Sequence, residues 1–234
     1  LSKLKFVAQY SLTPKESAKM SDTNSVVAIM NQVPASNDGV RAESPLHHIG
    51  LAEIAGLPTD DAGVVFSEEG LLGHLTFRCE PTSPLIAVAQ SILGIALPLS
   101  PLTSAEQGDL VVRWIAPDEW LISLPNEQVF DLETRFRAEM NGHHSLVNGS
   151  GGMTVYKIRG KHVVDMLKKS TPVDLHDSEF PVGKVVSTVF AKAGAVIRRT
   201  GESEFELVVR RSYADYIWLW IQDASQEYGL AVES

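Results

Sequence analysis

Seven histidines, one cysteine and several carboxylate pairs are the residues of this chain whose chemistry could add up to a site. The histidines include two adjacent pairs, His47-His48 and His143-His144. Neighbours on a strand project to opposite faces, so neither pair offers a ready two-ligand arm. No His-Glu-x-x-His or Cys-x-x-Cys spacing occurs, and one cysteine cannot build a thiolate-rich zinc centre. These histidines read as solvated or capping groups. Cys79 would need a helix N-terminus or a close imidazole to become a nucleophile, and His74, earlier on the same expected strand, faces the other way. It reads as a structural thiol. The pairs Asp60-Asp61, Glu68-Glu69 and Asp118-Glu119 fall in expected turns, where water carries their charge.

Cofactor cradles are missing as motifs. No Gly-x-Gly-x-x-Gly follows a strand and opens a helix, and no Gly-x-x-x-x-Gly-Lys is present. Asn148-Gly149-Ser150-Gly151-Gly152 comes nearest, but it precedes a strand, so it reads as a tight turn whose glycines take positive φ. The expectation is therefore no catalytic, no cofactor-binding and no metal-ligating residues in this chain.

Patterning supplies the elements that must carry these residues. Met153–Ile158 alternates as a strand, and Gly160 opens a short helix with Val163, Val164, Met166 and Leu167 on one side, ended by Pro172. Lys184–Ala191, Ala195–Arg199 and Glu204–Arg210 read as a meander with turns at Ala193-Gly194 and Gly201-Glu202-Ser203. Ser212, with Asp215 three residues on, has the form of a capping box for a final helix. Ile217, Trp220, Ile221, Ala224 and Tyr228 would share its buried face, and Gly229 would end it. Residues two apart in a helix point about 200° apart, so of Trp218 and Trp220 one faces the core and the other outward. The outward ring is covered by a loop of this chain or by another subunit.

Earlier in the chain, residues 13–43 are polar with one short apolar patch, too little to offset the entropy of ordering them. They read as a loose tail or as an arm that orders on a partner. Leu46–Ala55 forms the first compact element, with strands at Val64–Ser67 and Leu71–Arg78. Ser83 and Pro84 start a helix bearing Ile86, Val88, Ala89, Ile92 and Leu93 before Gly94. Asp109–Ile115 and Trp120–Leu124 form a hairpin, and a helix from Asn126 to Asn141 lines Val129, Leu132, Phe136 and Met140 along one face. This order repeats the later one at an offset of 85 residues, which sets Arg113 on Arg198 and Trp120 on Phe205. A duplication follows as an expectation: a polar arm at 1–44, a first α+β half at 45–144 and a second at 145–234, with antiparallel sheets and packed helices.

Composition narrows the partners. A formal net charge of −9 and no basic stripe exclude a nucleic-acid or anionic-membrane surface as the main contact. No apolar run reaches the roughly 18 residues of a membrane span. Leu1 to Leu12 lack the pattern of a secretory signal, and a single cysteine suits a reducing compartment, so a cytoplasmic location is expected.

The string from Ser150 through Gly160, then Pro172-Val173-Asp174-Leu175-His176, Phe180-Pro181-Val182-Gly183, and Arg211-Ser212-Tyr213-Ala214 with Trp218-Leu219-Trp220, resembles the gamma subunit of heterotetrameric sarcosine oxidase. Pro117-Asp118-Glu119-Trp120-Leu121 and Ser44-Pro45-Leu46-His47 fit the same family. The resemblance implies a fold like that of aminomethyltransferases and other folate proteins. It also implies a non-catalytic subunit, with alpha, beta and delta partners, of a complex that oxidatively demethylates sarcosine to glycine and passes the one-carbon unit to tetrahydrofolate. FAD, covalent FMN, NAD and tetrahydrofolate are then held by other subunits. Asn148 and Ser150 stand where the family commonly shows Asp-x-Ser, and Thr171 where a cysteine is frequent, which leaves another N-methyl amino acid open as the substrate of the complex. A stand-alone folate-binding, aminomethyltransferase-like protein and a scaffold unrelated to one-carbon metabolism are the other readings.

Overall fold

A computed structural model describes residues 42–54, 58 and 60–233, so most of the expected N-terminal arm lies outside the described residues. Eleven strands and four α-helices follow in order: β1 (Val64–Glu69), β2 (Leu72–Arg78), α1 (Leu85–Leu93), β3 (Ser104–Gln107), β4 (Leu110–Ala116), β5 (Glu119–Pro125), α2 (Val129–Glu139), β6 (Ser145–Asn148), β7 (Met153–Arg159), α3 (Val163–Lys168), β8 (Val185–Phe190), β9 (Ala193–Gly201), β10 (Glu204–Arg210), α4 (Ala214–Ser225) and β11 (Leu230–Glu233). They build two sheets, one ordered β11-β1-β7-β10-β9-β8 and the other β3-β4-β5-β2-β6.

Strict alternation sends each sheet's apolar residues to an outer face covered by helices. In the six-stranded sheet Phe66, Tyr156, Ile197, Phe205 and Leu207 pack against Met166 and Leu167 of α3 and Ile217, Trp218 and Ile221 of α4. In the five-stranded sheet Leu75, Phe77, Val112, Trp120 and Ile122 meet Ile86, Ala89 and Ile92 of α1 and Leu132 and Phe136 of α2. The inner faces touch through a small apolar layer of Leu121, Val155 and Val208. The sequence motif around Leu46 plugs the first core: Leu46 is fully buried, its N–H donates to Glu68 at 3.3 Å, and His48 pairs with Asp215 of α4 at 2.8 Å.

The elements β2-α1-β3-β4-β5-α2 and β7-α3-β8-β9-β10-α4 occur in the same order. Arg113 opposes Leu121 across β4 and β5, and Arg198 opposes Glu206 across β9 and β10, so the 85-residue offset holds in the pairing register. The strand before each series crosses over. Thus β1 pairs antiparallel with β7, and β6 pairs antiparallel with β2. Finally β11 adds parallel to β1, with Phe66 opposite Val232.

Several local expectations need correction. The β8–β9 turn lies at Ala191-Lys192, because Phe190 pairs with Ala193 and Ala191 takes a φ of 52°; Ala193 and Gly194 belong to β9. Ser212 does not cap α4. A 3₁₀ turn over Arg211–Tyr213 precedes the helix, and the Ala214 N–H donates to the Arg211 carbonyl, which removes the need for a side-chain cap. Trp218, not Trp220, is the buried ring, 2 % exposed, because the inward stripe runs Ala214, Ile217, Trp218, Ile221, Ser225 at helical spacing. Trp220 packs at the flank of that core, its indole N–H donating to Ser170 Oγ at 3.0 Å, so this chain itself covers it. Helix α3 stops at Lys168, before Pro172, and the Asn126–Asn141 helix begins as a 3₁₀ turn. Glu68 and Glu69 are strand residues: Glu68 accepts from Thr154 at 3.0 Å, and Glu69 pairs with Lys157 at 2.7 Å. Strands β3, β6 and β11, each of four residues, carry too little periodicity for the sequence to reveal.

Gly160 has a φ of 125°, and an added Cβ would lie 2.5 Å from the Gly63 carbonyl oxygen. That close approach lets the end of β7 pass beside the start of β1. Ser83 Oγ accepts the Leu85 N–H at 3.2 Å and Gly94 closes α1 with a φ of 75°, both as its sequence requires.

Candidate functional site

The inner faces of the two sheets carry the one dense charged cluster among the described buried side chains. Arg113 on β4, 1 % exposed, donates from Nη2 to Glu206 Oε2 of β10 at 2.8 Å and from Nη1 to Ser123 Oγ of β5 at 2.8 Å. Arg198 on β9 places Nε 3.8 Å from the same Glu206 oxygen and pairs through Nη2 with Glu106 of β3. The two arginines that the repeat superposes therefore converge on one carboxylate, one from each sheet. His74 of β2 closes the chain of contacts, its Nδ1 3.1 Å from Ser123 Oγ.

Electrostatics follow from burial. Desolvation pushes the Arg113 guanidinium below its ordinary range, and Glu206 opposes that push. The His74 imidazole drops to about 4, first because it is buried and second because Arg113 lies near, so at neutral pH it is uncharged. Ser123 accepts from Arg113 and can donate to His74 Nδ1. His74 Nε2, Arg113 Nε and Arg198 Nη1 are buried without a hydrogen-bond partner. Burial likewise pushes the Tyr156 hydroxyl upward, with Glu68 and Asp215 adding to it.

A cleft of about 240 Å³ bounded by Glu69, Glu106, Asp109, Arg113, Lys157 and Glu206 opens beside the cluster. Most of its charges are matched: Lys157 with Glu69, Arg113 with Glu206, and Arg198 with Glu106, while Asp109 at the mouth is in no ion pair among the described residues. Among the described residues no cysteine and no serine-histidine-carboxylate chain stands at this cleft. The arrangement ties one sheet to the other. At the far end of the inter-sheet layer a second notch of about 230 Å³ is more apolar than polar, lined by Ile115, Leu121, Met153, Val196 and Val208 together with Thr76, Ser187 and Thr188, with Glu119 and Arg210 at its rim.

The sequence-identified residues scatter. His47 and His48 sit in a 3₁₀ turn and pair with Glu43 and Asp215; His143 and His144 lie in the loop before β6. Cys79 is buried with the α1–α2 core, on the side of its sheet away from His74. Among the described residues no group of three His, Cys, Asp or Glu is placed to hold a metal. The Gly149–Gly152 segment is a 3₁₀ turn, and its glycines do not take positive φ. Asn148 organises it by accepting from the Ser150 N–H and hydroxyl, while the Gly149 N–H donates to the His74 carbonyl. The Gly152 N–H donates to the Gly149 carbonyl, which leaves only the Gly151 N–H without a partner among the described residues, one donor where a phosphate cradle needs several. The Arg113–Glu206–Arg198 cluster was not singled out from sequence as a site; its signal is charged residues inside otherwise apolar strand segments, at one repeat offset.

No described helix is long and apolar enough to cross a membrane. The model of the sarcosine oxidase, gamma subunit family matches residues 78–227. Sarcosine oxidase subunit gamma of Corynebacterium sp. (strain U-96) is 27% identical over 191 residues, 80% of this chain and 92% of the relative. That of an Arthrobacter sp. is 28% identical over 188 residues, 79% of this chain and 90% of the relative. Among solved structures, heterotetrameric sarcosine oxidase from Corynebacterium sp. U-96 contains a chain that superposes with a TM-score of 0.73 at 27% identity, covering 80% of this chain and 96% of that one. Glycine cleavage system aminomethyltransferase T from Bartonella henselae shares the fold, with a TM-score of 0.54 at 13% identity over 73% of this chain and 48% of that one. The expected α+β, aminomethyltransferase-like architecture is thus the one observed, and the chain belongs to the sarcosine oxidase gamma subunit family.

Proposed function

We propose that this chain is the gamma subunit of a heterotetrameric sarcosine oxidase, assembled with alpha, beta and delta subunits, and that it contributes structure and not catalysis. The observation that carries this reading is the family match over residues 78–227 together with near-complete coverage of the gamma chain of the solved heterotetramer. The site chemistry supports it: the buried charges of the inter-sheet cluster face one another in pairs, and the Gly149–Gly152 turn commits the N–H groups of Gly149, Ser150 and Gly152. The complex oxidatively demethylates sarcosine to glycine and passes the one-carbon unit to tetrahydrofolate, with FAD, FMN and NAD in the other subunits. Its place of action is the cytoplasm. The repeated element order, with matched arginines, supports an origin by duplication of halves spanning 45–144 and 145–234 behind an arm at 1–44.

Co-expression with the flanking flavoprotein genes tests this reading. The chain should be colourless alone and should co-elute in size-exclusion chromatography with a yellow complex that releases peroxide from sarcosine. Elution as a free chain beside those subunits, or tetrahydrofolate binding by the isolated chain, would sink it.

A further inference from the structure

We infer that the outer edge of β8, with the apolar notch behind it, is the seat for an extended segment of another subunit, which adds a strand there and inserts an aliphatic or aromatic side chain between the sheets. This rests on the subunit reading above and names its docking surface.

Backbone accounting comes first. Strand β8 ends the six-stranded sheet, and its inward-facing residues Val186, Thr188 and Phe190 pair with Ile197, Ala195 and Ala193. The residues between them turn their N–H and C=O groups outward. At one end of that edge the Val185 N–H donates to the Leu102 carbonyl at 2.9 Å, and at the other the Ala191 N–H donates to the Ser170 carbonyl at 2.6 Å. Between these closed points the N–H and C=O of Ser187 and Val189 have no partner among the described residues. A short open edge of this kind accepts a strand of a few residues.

Side chains point the same way. Ser187 and Val189 lie on the inter-sheet face, across from Val196 and Gly194, and both stay exposed although the five-stranded sheet faces them across the notch. Val189 is 44 % exposed, and Leu102, held at a φ of 62°, presents a second exposed apolar side chain at the other end of the edge. The notch reaches this edge at Ser187, Thr188 and Gly194, with nothing within 4 Å of a Cβ built on Gly194. Self-pairing of two β8 edges would offer each notch only Ser187 and Val189, too short to fill about 230 Å³. Arg210, exposed at the rim it shares with Glu119, is in no ion pair among the described residues and can meet a carboxylate on the incoming segment. The occupant is thus an extended stretch of a different chain with a large apolar residue close to an acidic one.

Three substitutions test it in the co-expressed complex. Gly194→Val narrows the notch at a point where an added Cβ meets nothing within 4 Å, Ser187→Pro removes an outward N–H that no described residue uses, and Arg210→Glu reverses the rim charge. Each should keep the melting temperature of the isolated chain and weaken its capture by the other subunits about tenfold or more, releasing free colourless chain. Wild-type capture with all three variants retained at wild-type affinity would overturn the inference, as would release by Leu219→Asp on α4 in place of the β8 variants. A self-association of the isolated chain that the same three variants abolish would also overturn it, in favour of a second copy. Failure of the wild-type chain itself to join the complex would refute the subunit reading instead, so the two are told apart.

Discussion

Replacing Arg113 and Glu206, singly and together, gives the sharpest test of how the two sheets are held. Their 2.8 Å contact is worth about 6 kcal/mol of gross attraction at an effective dielectric constant of about 20, most of which is cancelled by removing both charges from water. Loss of one partner leaves the other charge buried. Glu206→Leu strands a guanidinium that cannot shed its proton, so a cost of about 3–5 kcal/mol is expected. Arg113→Met should cost less, because Glu206 retains Arg198 at 3.8 Å and a carboxylate can protonate. The double variant, apolar on both sides and continuous with the Leu121, Val155, Val208 layer, should recover to within about 1 kcal/mol of wild type. Urea unfolding followed by the fluorescence of the buried rings Trp120 and Trp218 measures all three. Additive losses in the double variant, or single losses below about 1 kcal/mol, would refute the reasoning.

Other consequences are equally open to measurement. His74 has a folded-state pKa of about 4 against 6.5 unfolded, so the unfolded chain binds the extra proton between those values. The stability this contributes is complete above about pH 6.5 and fades as pH falls toward 4, by about 3 kcal/mol at most; His74→Gln should flatten that slope in acid unfolding curves, and an unchanged slope would exclude His74 as its source. Gly160→Ala should cost about 2–3 kcal/mol, from both its φ of 125° and the contact with the Gly63 carbonyl, whereas a wild-type melting temperature would show that the β7–β1 approach yields easily. Trp218→Ala should lose about 3–5 kcal/mol and Trp220→Ala clearly less, an order that reverses if the sequence-based facing were right.

Long periodic segments were legible in the sequence because local pattern and tertiary role agree there. The strands carrying Tyr156, Ile197 and Phe205 and the helices carrying Ile86 and Phe136 lie where alternation and helical spacing put them. What escaped were features decided by distant partners. Strand β11 exists because β1 offers it an edge, and β6 because β2 does. The Ser212 capping pattern was overridden by the 3₁₀ turn at Arg211–Tyr213, and Asp215 serves His48 instead. The offset of Arg113 to Arg198 was visible, but not that both would reach Glu206, since face-to-face packing of two sheets leaves no periodic trace in one dimension.

The parallel pairing of β1 with β11 has a consequence for how the molecule comes into being. Phe66 and Val232 are neighbours in space yet stand near opposite ends of the described chain, so that contact closes a loop of almost the whole domain. During synthesis β1 emerges early and must wait, both its edges open, until β7 and finally β11 leave the ribosome. Non-local closure of this kind slows folding, and an unpaired apolar strand is a template for aggregation in the interval. A nascent chain arrested before Leu230 should therefore be handled by chaperones far more than one that includes β11, which acts as the clasp of the fold.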